Sequence, residues 1–249
     1  VQMRIGICAS KYVGYELLKF VLKLNKISFV IVHKDDTYKD SIINLCKKYN
    51  VQYFDIDVNS NEFIYLIEKN NIDLIFMLWF PTIVKKQSLK SVNIGFVNLH
   101  PSLIPHNRGM HPYYWSIVEN TTAGTTIHFI DEKIDEGEIL FQKKIDVSMT
   151  DTGESLYEKN INETISLFKE NYLNILNSNY ELKKVDNSKG SFHLSKDIEK
   201  HSKIDLNEKY KAIDLINIIR ARSFNNGDCS YFYHDNKKYN IKICIEEVK

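Results

Sequence analysis

Short apolar runs alternate with helical segments through the first hundred residues, and this alternation limits the folds that the chain can adopt. Four mainly apolar runs predict buried strands, at 3–9, 27–33, 51–56 and 72–80. Apolar residues at helical spacing predict helices between these strands, at 15–24, 41–49 and 62–70. Because parallel strands need crossover connections of this kind, we expect an α/β fold with a doubly wound, mostly parallel, Rossmann-like sheet.

The turn after the first strand lacks the glycine pattern of a dinucleotide-binding fold. It reads CASKYVG and contains one glycine, Gly14, instead of a G-x-G-x-x-G motif. This argues against an NAD enzyme but leaves open a ligand that contains a nucleotide. Ser10 and Lys11 follow the strand, where phosphate groups could approach, although ordinary packing or a solvated charge is the alternative for both.

Composition excludes several classes of protein. The chain has 249 residues, of which 43% are hydrophobic, so it can bury a sizeable core. Its net charge of +1 gives no reason to expect a nucleic-acid or membrane partner. The four cysteines are far apart and form no C-x-x-C pair, which predicts reduced thiols. No secretory signal and no membrane-spanning apolar run is recognisable, so we expect a cytoplasmic protein.

The second half of the chain predicts further strands and a C-terminal appendage. Strands at 121–131 and 138–147 are joined by a short acidic loop, so they should pair antiparallel. A long helix at 152–177, a polar linker at 178–208, a helix at 208–224 and a hairpin turning at Asp235–Asn236 follow. We expect a catalytic core over residues 1–180 and a small subdomain over 181–249.

The segment 98–109, NLHPSLIPHNRG, concentrates rigid and titratable residues in the middle of the chain. If 94–102 is a strand, Asn98 and His100 share one face at its carboxyl end, where open α/β sheets bind ligands. Preorganised polar groups at such an edge are what acyl transfer requires. The alternative is that Asn98 caps a turn and His100 is an ordinary half-buried histidine.

The acidic loop DEKIDEG, at 131–137, offers carboxylates that could orient a histidine or act as a general base. Its spacing does not choose among Asp131, Glu132, Asp135 and Glu136. A solvated hairpin loop is the plain alternative, since such loops are commonly acidic.

A metal site is a further alternative, and it would use His100, His106, His111 and Asp135. The spacing of these histidines fits no standard zinc pattern, and the prolines between them disfavour a helix that displays ligands. We therefore expect no metal.

Both segments resemble the folate-dependent N-formyltransferases. NLHPSLIPHNRG is similar to that family's Asn-x-His-x-Ser-Leu-Leu-Pro pattern followed by Arg-Gly, with Ile104 in place of a leucine. GTTIHFIDEKIDEGEIL is similar to its Thr-Ile-His and Asp-x-Gly patterns. The detailed match covers about residues 95–145, and the α/β order before it agrees. The resemblance implies that Asn98, His100 and Asp135 are catalytic.

The chemistry that this resemblance implies is formyl transfer from N10-formyltetrahydrofolate to a primary amine, without a metal. Asn98 and a protonated His100 would donate hydrogen bonds to the oxyanion, while Asp135 would orient His100. Family members grip the pterin largely through backbone groups in the segment that corresponds to 75–84. The implied cofactor contacts are Met77, Leu78, Phe80 and Asp131, although plain core packing is the alternative for the apolar ones.

The stretch NLHPSLIPHNRGMHPYYWSI looks most like the nucleotide-sugar formyltransferases. This implies dTDP-4-amino-4,6-dideoxyglucose as the acceptor, in O-antigen or other surface-polysaccharide biosynthesis, and a homodimer. The implied substrate contacts are Ser10, Lys11, His106, Arg108, Gly109, Phe224 and Tyr231. One departure concerns Phe224, because relatives often carry prolines where this chain reads SFNNGDCSYF, at 223–232.

Three alternatives to a sugar acceptor stay open. The amine could belong to glycinamide ribonucleotide or methionyl-tRNA, although the short C-terminal part lacks a strong basic stripe. Water could replace the amine, which would make the protein a formyltetrahydrofolate hydrolase. The chain could also be a non-catalytic module that binds sugar nucleotides, although it retains Asn98, His100 and Asp135.

Overall fold

The structure is a computed structural model that describes residues 3–225 and 227–248, and it confirms the predicted α/β class. Within these residues one large mixed sheet contains β1 Ile5–Ala9, β2 Phe29–Val32, β3 Tyr53–Phe54, β4 Leu74–Leu78, β5 Gly95–His100, β7 Ala123–Phe129 and β8 Ile139–Ile145. The strand order is β3-β2-β1-β4-β5-β7-β8. Neighbours among the first five strands run parallel, whereas β5 and β7 run antiparallel.

The remaining elements connect or follow these strands. The helices are α1 Lys11–Leu24, α2 Lys39–Lys48, α3 Asn61–Lys69, α4 Lys86–Leu89, α5 Pro112–Val118, α6 Gly153–Leu176, α7 Ser195–His201 and α8 Ala212–Ala221. The short strands are β6 Arg108–Gly109, β9 Phe192–His193, β10 Ser230–His234 and β11 Lys237–Ile241. No helix in the described ranges is long and apolar enough to cross a membrane.

Helices cover both faces of the sheet, as the apolar runs predict. Met77 of β4 belongs to one core cluster together with Phe63 of α3. The next residue back along the strand, Phe76, points to the other face and contacts Phe168 of α6 edge to face at 5.3 Å. Because successive strand residues face opposite sides, a strand buried on both faces reads as a continuous apolar run.

The two strands on either side of the acidic loop pair antiparallel, as predicted. The Phe129 amide donates to the Glu138 carbonyl, and the Gln142 side chain donates to the Thr126 hydroxyl at 3.0 Å. The two strands β7 and β8 therefore run in opposite directions. The loop at 130–138 turns at the end of this hairpin.

Two compact units divide the chain. The first contains the chain up to His100, together with Thr126–Gln142 and Thr164–Val185. The second contains Pro101–Thr125, Lys143–Glu163 and the chain from Asp186 onwards. Two segments from the middle of the chain belong with the C-terminal part, so neither unit is continuous in sequence. The division into a catalytic core over residues 1–180 and a subdomain over 181–249 stays a prediction.

The C-terminal hairpin forms where the sequence predicts it. Asp235 and Asn236 occupy its turn with φ of 48° and 59°, a left-handed conformation that Asp and Asn tolerate. Phe232 and Tyr239 pair across the hairpin, and their rings stack at 5.5 Å. Asn226, in the loop where relatives often carry prolines, lies outside the described residues.

Candidate active site

The carboxyl end of β5 positions two polar side chains between two other strands. Asn98 pairs with Met77 of the parallel strand β4 on one side and with His128 of the antiparallel strand β7 on the other. His100, two residues further on, shares the face of Asn98 because strand side chains alternate. His100 is only 6% exposed. Both residues thus lie at the carboxyl end of β5, and their catalytic role stays a prediction.

A second histidine, His128, belongs to the same cluster, and the sequence predictions did not assign it to the site. Its Nε2 lies 3.3 Å from Nδ2 of Asn98, which is directly opposite in the strand register. Its Nδ1 lies 2.7 Å from the Phe129 carbonyl. The Thr-Ile-His pattern together with an antiparallel partner for β5 could have revealed it, but the sequence alone does not provide that register.

His128 acts as a neutral hydrogen-bond relay. Nδ1–H donates to the Phe129 carbonyl, because a carbonyl can only accept, so Nε2 carries the lone pair and accepts from the Asn98 amide. Burial lowers the pKa of His128 and outweighs the nearby Asp135 carboxylate. The 3.6 Å approach of these two side chains is therefore a contact and not an ion pair.

The acidic loop contributes Asp135 to this cluster. One oxygen of Asp135 lies 3.5 Å from Nδ1 of His100, and the side chain is only 10% exposed. Its backbone is left-handed, with φ of 53°, a conformation that aspartate adopts more readily than most residues. The other three carboxylates of the loop bond locally or to exposed lysines. The geometry therefore brings to His100 the carboxylate that the family resemblance implied.

Gly137 allows the loop to close on the strand. A Cβ on this residue would lie 1.8 Å from the Phe129 carbonyl oxygen, so no other residue fits without a backbone shift. The same carbonyl accepts the hydrogen bond from His128. One tight backbone approach thus fixes both the acidic loop and the tautomer of the buried histidine.

This arrangement can stabilise negative charge on an oxygen atom. One N–H of the Asn98 amide is directed to His128, and the second N–H of the same group is the one that can donate to an oxyanion. The Asp135 carboxylate is placed to orient the His100 ring and to stabilise positive charge on it. Donors held in this way before reaction are the usual means of accelerating acyl transfer.

The residues implied as cofactor contacts occupy several environments. Met77 and Leu78 lie inside β4 and are buried, and the Leu78 carbonyl accepts from the Ser10 amide. Phe80, in the loop after β4, is 9% exposed and meets His33 edge to face at 5.6 Å. The structure gives these apolar side chains a place in the core, and cofactor contact by their backbone stays a prediction.

Asp131 lines a cleft of about 650 Å³ together with Glu136 and Gly137 of the acidic loop. Gly95, which begins β5, lines the same cleft, whereas Asn98 and His100 lie at the other end of that strand. The Asp131 carboxylate accepts from the Lys133 amide at 2.9 Å. Its contact with the cofactor stays a prediction.

Ser10 and Lys11 lie at the start of α1, but their backbone donors are already used. The Ser10 amide donates to the Leu78 carbonyl, and the Lys11 amide donates to the Asp36 carboxylate at 2.8 Å. Asp36 thus places the protein's own anion at this helix end, where a phosphate was predicted to approach. Contact between the nucleotide and these residues stays a prediction that would have to use their side chains or displace Asp36.

His106, Arg108 and Gly109 lie together in the second unit. The His106 amide closes a turn on the Leu103 carbonyl. Arg108 is 7% exposed, and Gly109 follows it in β6, which pairs in parallel with β9. A Cβ on Gly109 would lie 2.3 Å from the His193 carbonyl, so the close approach that this glycine permits is made by β9. Contacts of the three residues with the acceptor stay predictions.

The two aromatic candidates also pack within the second unit. Phe224 is buried and meets Tyr113 edge to face at 5.5 Å. Tyr231 lies in β10, where the Lys238 ammonium sits 4.0 Å from the centre of its ring. These contacts engage both rings in packing, and their stacking on a base stays a prediction.

Histidine, cysteine and carboxylate side chains do not gather into a metal centre in the part of the chain that the structure describes. Among residues 3–225 and 227–248, no group of three or more such side chains is arranged to hold an ion.

The buried, neutral His128 predicts how stability depends on pH. Since the folded protein holds the pKa of His128 below its ordinary value of 6.5, the unfolded chain binds more protons below that pH. We expect the free energy of unfolding to fall as the pH drops below about 6.5. His128→Asn keeps a donor for the Phe129 carbonyl but cannot titrate, so it should flatten this dependence.

Urea unfolding at several pH values between 7.5 and 5 would test this prediction. The pKa of His201 is also lowered by burial, and His201 is present in both proteins, so only the difference in slope reports His128. Identical slopes for the two proteins would show that His128 is not held neutral.

Family models and known proteins match most of the chain. Residues 25–170 match the family described as Formyl transferase, and residues 197–247 match the N-formyltransferase dimerization C-terminal domain. The bifunctional polymyxin resistance protein ArnA of Wigglesworthia glossinidia brevipalpis is 31% identical over an alignment of 234 positions that covers 88% of this chain and 34% of that protein. The chain spans 34% to 65% of the length of the first curated relatives that it matches.

Solved structures extend the similarity to the C-terminal part. A sugar N-formyltransferase from Shewanella sp FDAARGOS_354 is 25% identical with a TM-score of 0.82, covering 100% of both chains. WlaRD, a sugar 3N-formyl transferase solved in the presence of dTDP and 5-N-formyl-THF, is 26% identical with a TM-score of 0.73. That match covers 96% of this chain and 85% of WlaRD.

Proposed function

Because the chain belongs to the formyl transferase family, we propose that it transfers a formyl group from N10-formyltetrahydrofolate to the amine of a nucleotide-linked sugar. The observation that carries this proposal is the cluster of Asn98, His100, His128 and Asp135 at the carboxyl end of β5. The family resemblance supports dTDP-4-amino-4,6-dideoxyglucose as the acceptor. The dTDP present in the WlaRD structure supports the same nucleotide.

The chain offers a suitable environment for a folate. The loop that follows β4 leaves the sheet beside Asn98 and buries Phe80 and Val84, so it combines apolar side chains with backbone polar groups. An aromatic ring with a polar edge needs both kinds of contact. When bound, N10-formyltetrahydrofolate supplies the formyl carbon that the amine attacks.

The protein groups then have distinct roles in the reaction. Asn98 donates a hydrogen bond to the oxygen that gains negative charge, and His128 holds the Asn98 amide in the orientation that this requires. His100 provides the second donor, and Asp135 keeps its ring in place. Asp135 also lies where it can receive a proton from the attacking amine, directly or through a water molecule.

The C-terminal part supports a homodimer, since residues 197–247 match a dimerization domain. A cytoplasmic reaction in the synthesis of surface polysaccharide completes the proposal. Both of these statements rest on the family resemblance.

A panel assay tests the proposed function. The protein is mixed with N10-formyltetrahydrofolate and with dTDP-, UDP- and GDP-linked amino sugars, and both tetrahydrofolate release and the mass of each sugar are measured. A mass gain of one formyl group on a dTDP-linked amino sugar is the expected result. Gain only on another nucleotide sugar would overturn the choice of dTDP.

Two other results would overturn the proposal as a whole. Tetrahydrofolate release without any sugar would identify a hydrolase. No release with any acceptor, together with binding of sugar nucleotides, would identify a non-catalytic binding module. Glycinamide ribonucleotide serves as the control acceptor and should gain no formyl group.

A further inference from the structure

The loop between β4 and α4 begins at the carboxyl end of the sheet, next to Asn98 of the candidate active site. β4 ends at Leu78, one residue beyond Met77, which is directly opposite Asn98 in β5. Within the loop, Val84 is buried in the core while its neighbour Ile83 is 65% exposed. The stretch around Ile83 therefore presents backbone, anchored by the core side chain of Val84, at the carboxyl end of the sheet, where ligands bind.

A single side chain from elsewhere in the first unit fixes this stretch of backbone. The amide nitrogen of Asn59 donates to the Ile83 carbonyl at 3.0 Å. The amide oxygen of the same side chain accepts from the Lys85 backbone N–H at 2.7 Å. Asn59 thus bonds to the residues on both sides of Val84, as a neighbouring strand would do.

Asn59 is itself held rigidly by the residues around it. Its backbone N–H donates to the Asp57 carboxylate at 2.9 Å. Val58 before it is buried in the core, and Ser60 after it caps α3 by accepting from the Phe63 amide. A side chain carried on such a base can impose its position on the loop that it contacts, because its own backbone has little freedom to follow.

We infer that Asn59 is a positioning residue for the formyl donor. This inference rests on the proposed function, which places the donor against the loop after β4. If backbone groups bind the ligand, its position depends on the position of that backbone. The two hydrogen bonds from Asn59 fix the backbone of residues 83–85. Asn59 is not expected to touch either substrate.

An ion pair near this loop contributes less to its position. Lys86 and Glu132 form an ion pair at 2.6 Å that joins the start of α4 to the acidic loop. Both side chains are more than half exposed, and pairs of that kind contribute little in water and are screened by salt. Glu132→Gln should therefore leave donor binding nearly unchanged.

Binding of 5-formyltetrahydrofolate to the full chain, measured without any sugar, tests the inference. Loss of both hydrogen bonds in Asn59→Ala should weaken binding about tenfold. Asn59→Asp keeps an acceptor for the Lys85 amide but presents a carboxylate to the Ile83 carbonyl, so a loss of about threefold is expected. Asn93→Ala is the matched control, since Asn93 also bonds across the chain, to Asp73 at 3.0 Å, but at the amino end of β5.

Kinetics separate positioning from general destabilisation. Asn59→Ala should raise the KM for the formyl donor about tenfold while kcat at saturating donor and the KM for the sugar change little. Wild-type donor binding in both Asn59 variants would overturn the inference and leave the proposed function standing. Failure of the wild-type protein itself to bind 5-formyltetrahydrofolate would overturn the proposed function. If Asn59→Ala does not fold, Asn59→Asp decides the question alone.

Discussion

Asn98→Ala is expected to lower kcat by about 10²–10³, the usual effect of losing one donor to an oxyanion. Alanine removes the amide whose nitrogen contacts His128 at 3.3 Å. The second N–H of that amide is the proposed donor to the oxyanion. The fold should survive, because one side-chain hydrogen bond contributes about 1 kcal/mol. The measurement is kcat at saturating concentrations of both substrates, with the free energy of unfolding determined in parallel.

Two further variants make this prediction specific. Asn98→Asp keeps the size of the side chain but cannot donate, so it should lose at least as much activity as alanine. Asn93→Ala removes an asparagine that precedes the amino end of the same strand, and this variant should turn over normally. Near-normal turnover in Asn98→Ala would remove this residue from the mechanism.

Arg220→Met is expected to destabilise the second unit by about 3–5 kcal/mol, because each buried acceptor left without its donor costs about 1–3 kcal/mol. Arg220 is 5% exposed, and its guanidinium donates to the Ser148 and Asp151 carbonyls at 2.9 and 2.8 Å and to the Asn217 side chain at 2.8 Å. Methionine fills similar space but leaves these buried acceptors without their donor. Urea unfolding followed by far-UV circular dichroism measures the loss.

Arg222→Met provides the matched control from the same end of α8. Arg222 is also buried, but its carboxylate partners Glu199 and Asp228 are 64% and 52% exposed, so water can replace the lost donor. We expect a loss of about 1 kcal/mol for this variant. Equal losses for the two arginines would show that the bonds from Arg220 to the backbone carbonyls do not stabilise the fold.

The first hundred residues specify their own fold because the relevant information is local. The run at 74–80 is apolar throughout because both faces of β4 are covered, by α3 and α6. Strand alternation likewise places Asn98 and His100 on one face without any knowledge of the partner strands. For these features the sequence prediction and the structure agree.

The contacts of His128 cannot be predicted from local sequence. Its contact with Asn98 depends on the antiparallel register between β5 and β7, and its tautomer depends on the Phe129 carbonyl. Neither the strand register nor the tautomer can be deduced from the spacing of residues along the chain. The same holds for the choice of Asp135, which required the family resemblance and which the structure supports through its distance from His100.

The polar segment at 178–208, for which the sequence predicts a linker, depends on long-range contacts in the same way. It contains β9, whose two residues pair with β6 more than eighty positions earlier, and the short helix α7. Elements this short carry little periodicity, so only their long-range partners define them. Asn59 belongs to the same class, since its bonds to the loop at 83–85 have no counterpart in a sequence pattern.

The central claim is that the protein transfers a formyl group to a sugar amine and that His100 takes part. Its most direct test compares two proteins on two acceptors that differ at one group. Wild-type protein and His100→Ala are incubated with N10-formyltetrahydrofolate and either dTDP-4-amino-4,6-dideoxyglucose or the same sugar with a hydroxyl in place of the amine. We predict that the wild-type protein adds one formyl group to the amino sugar alone and that His100→Ala does so far more slowly. Equal rates for the two proteins, or no formylated amino sugar from the wild type, would contradict the account.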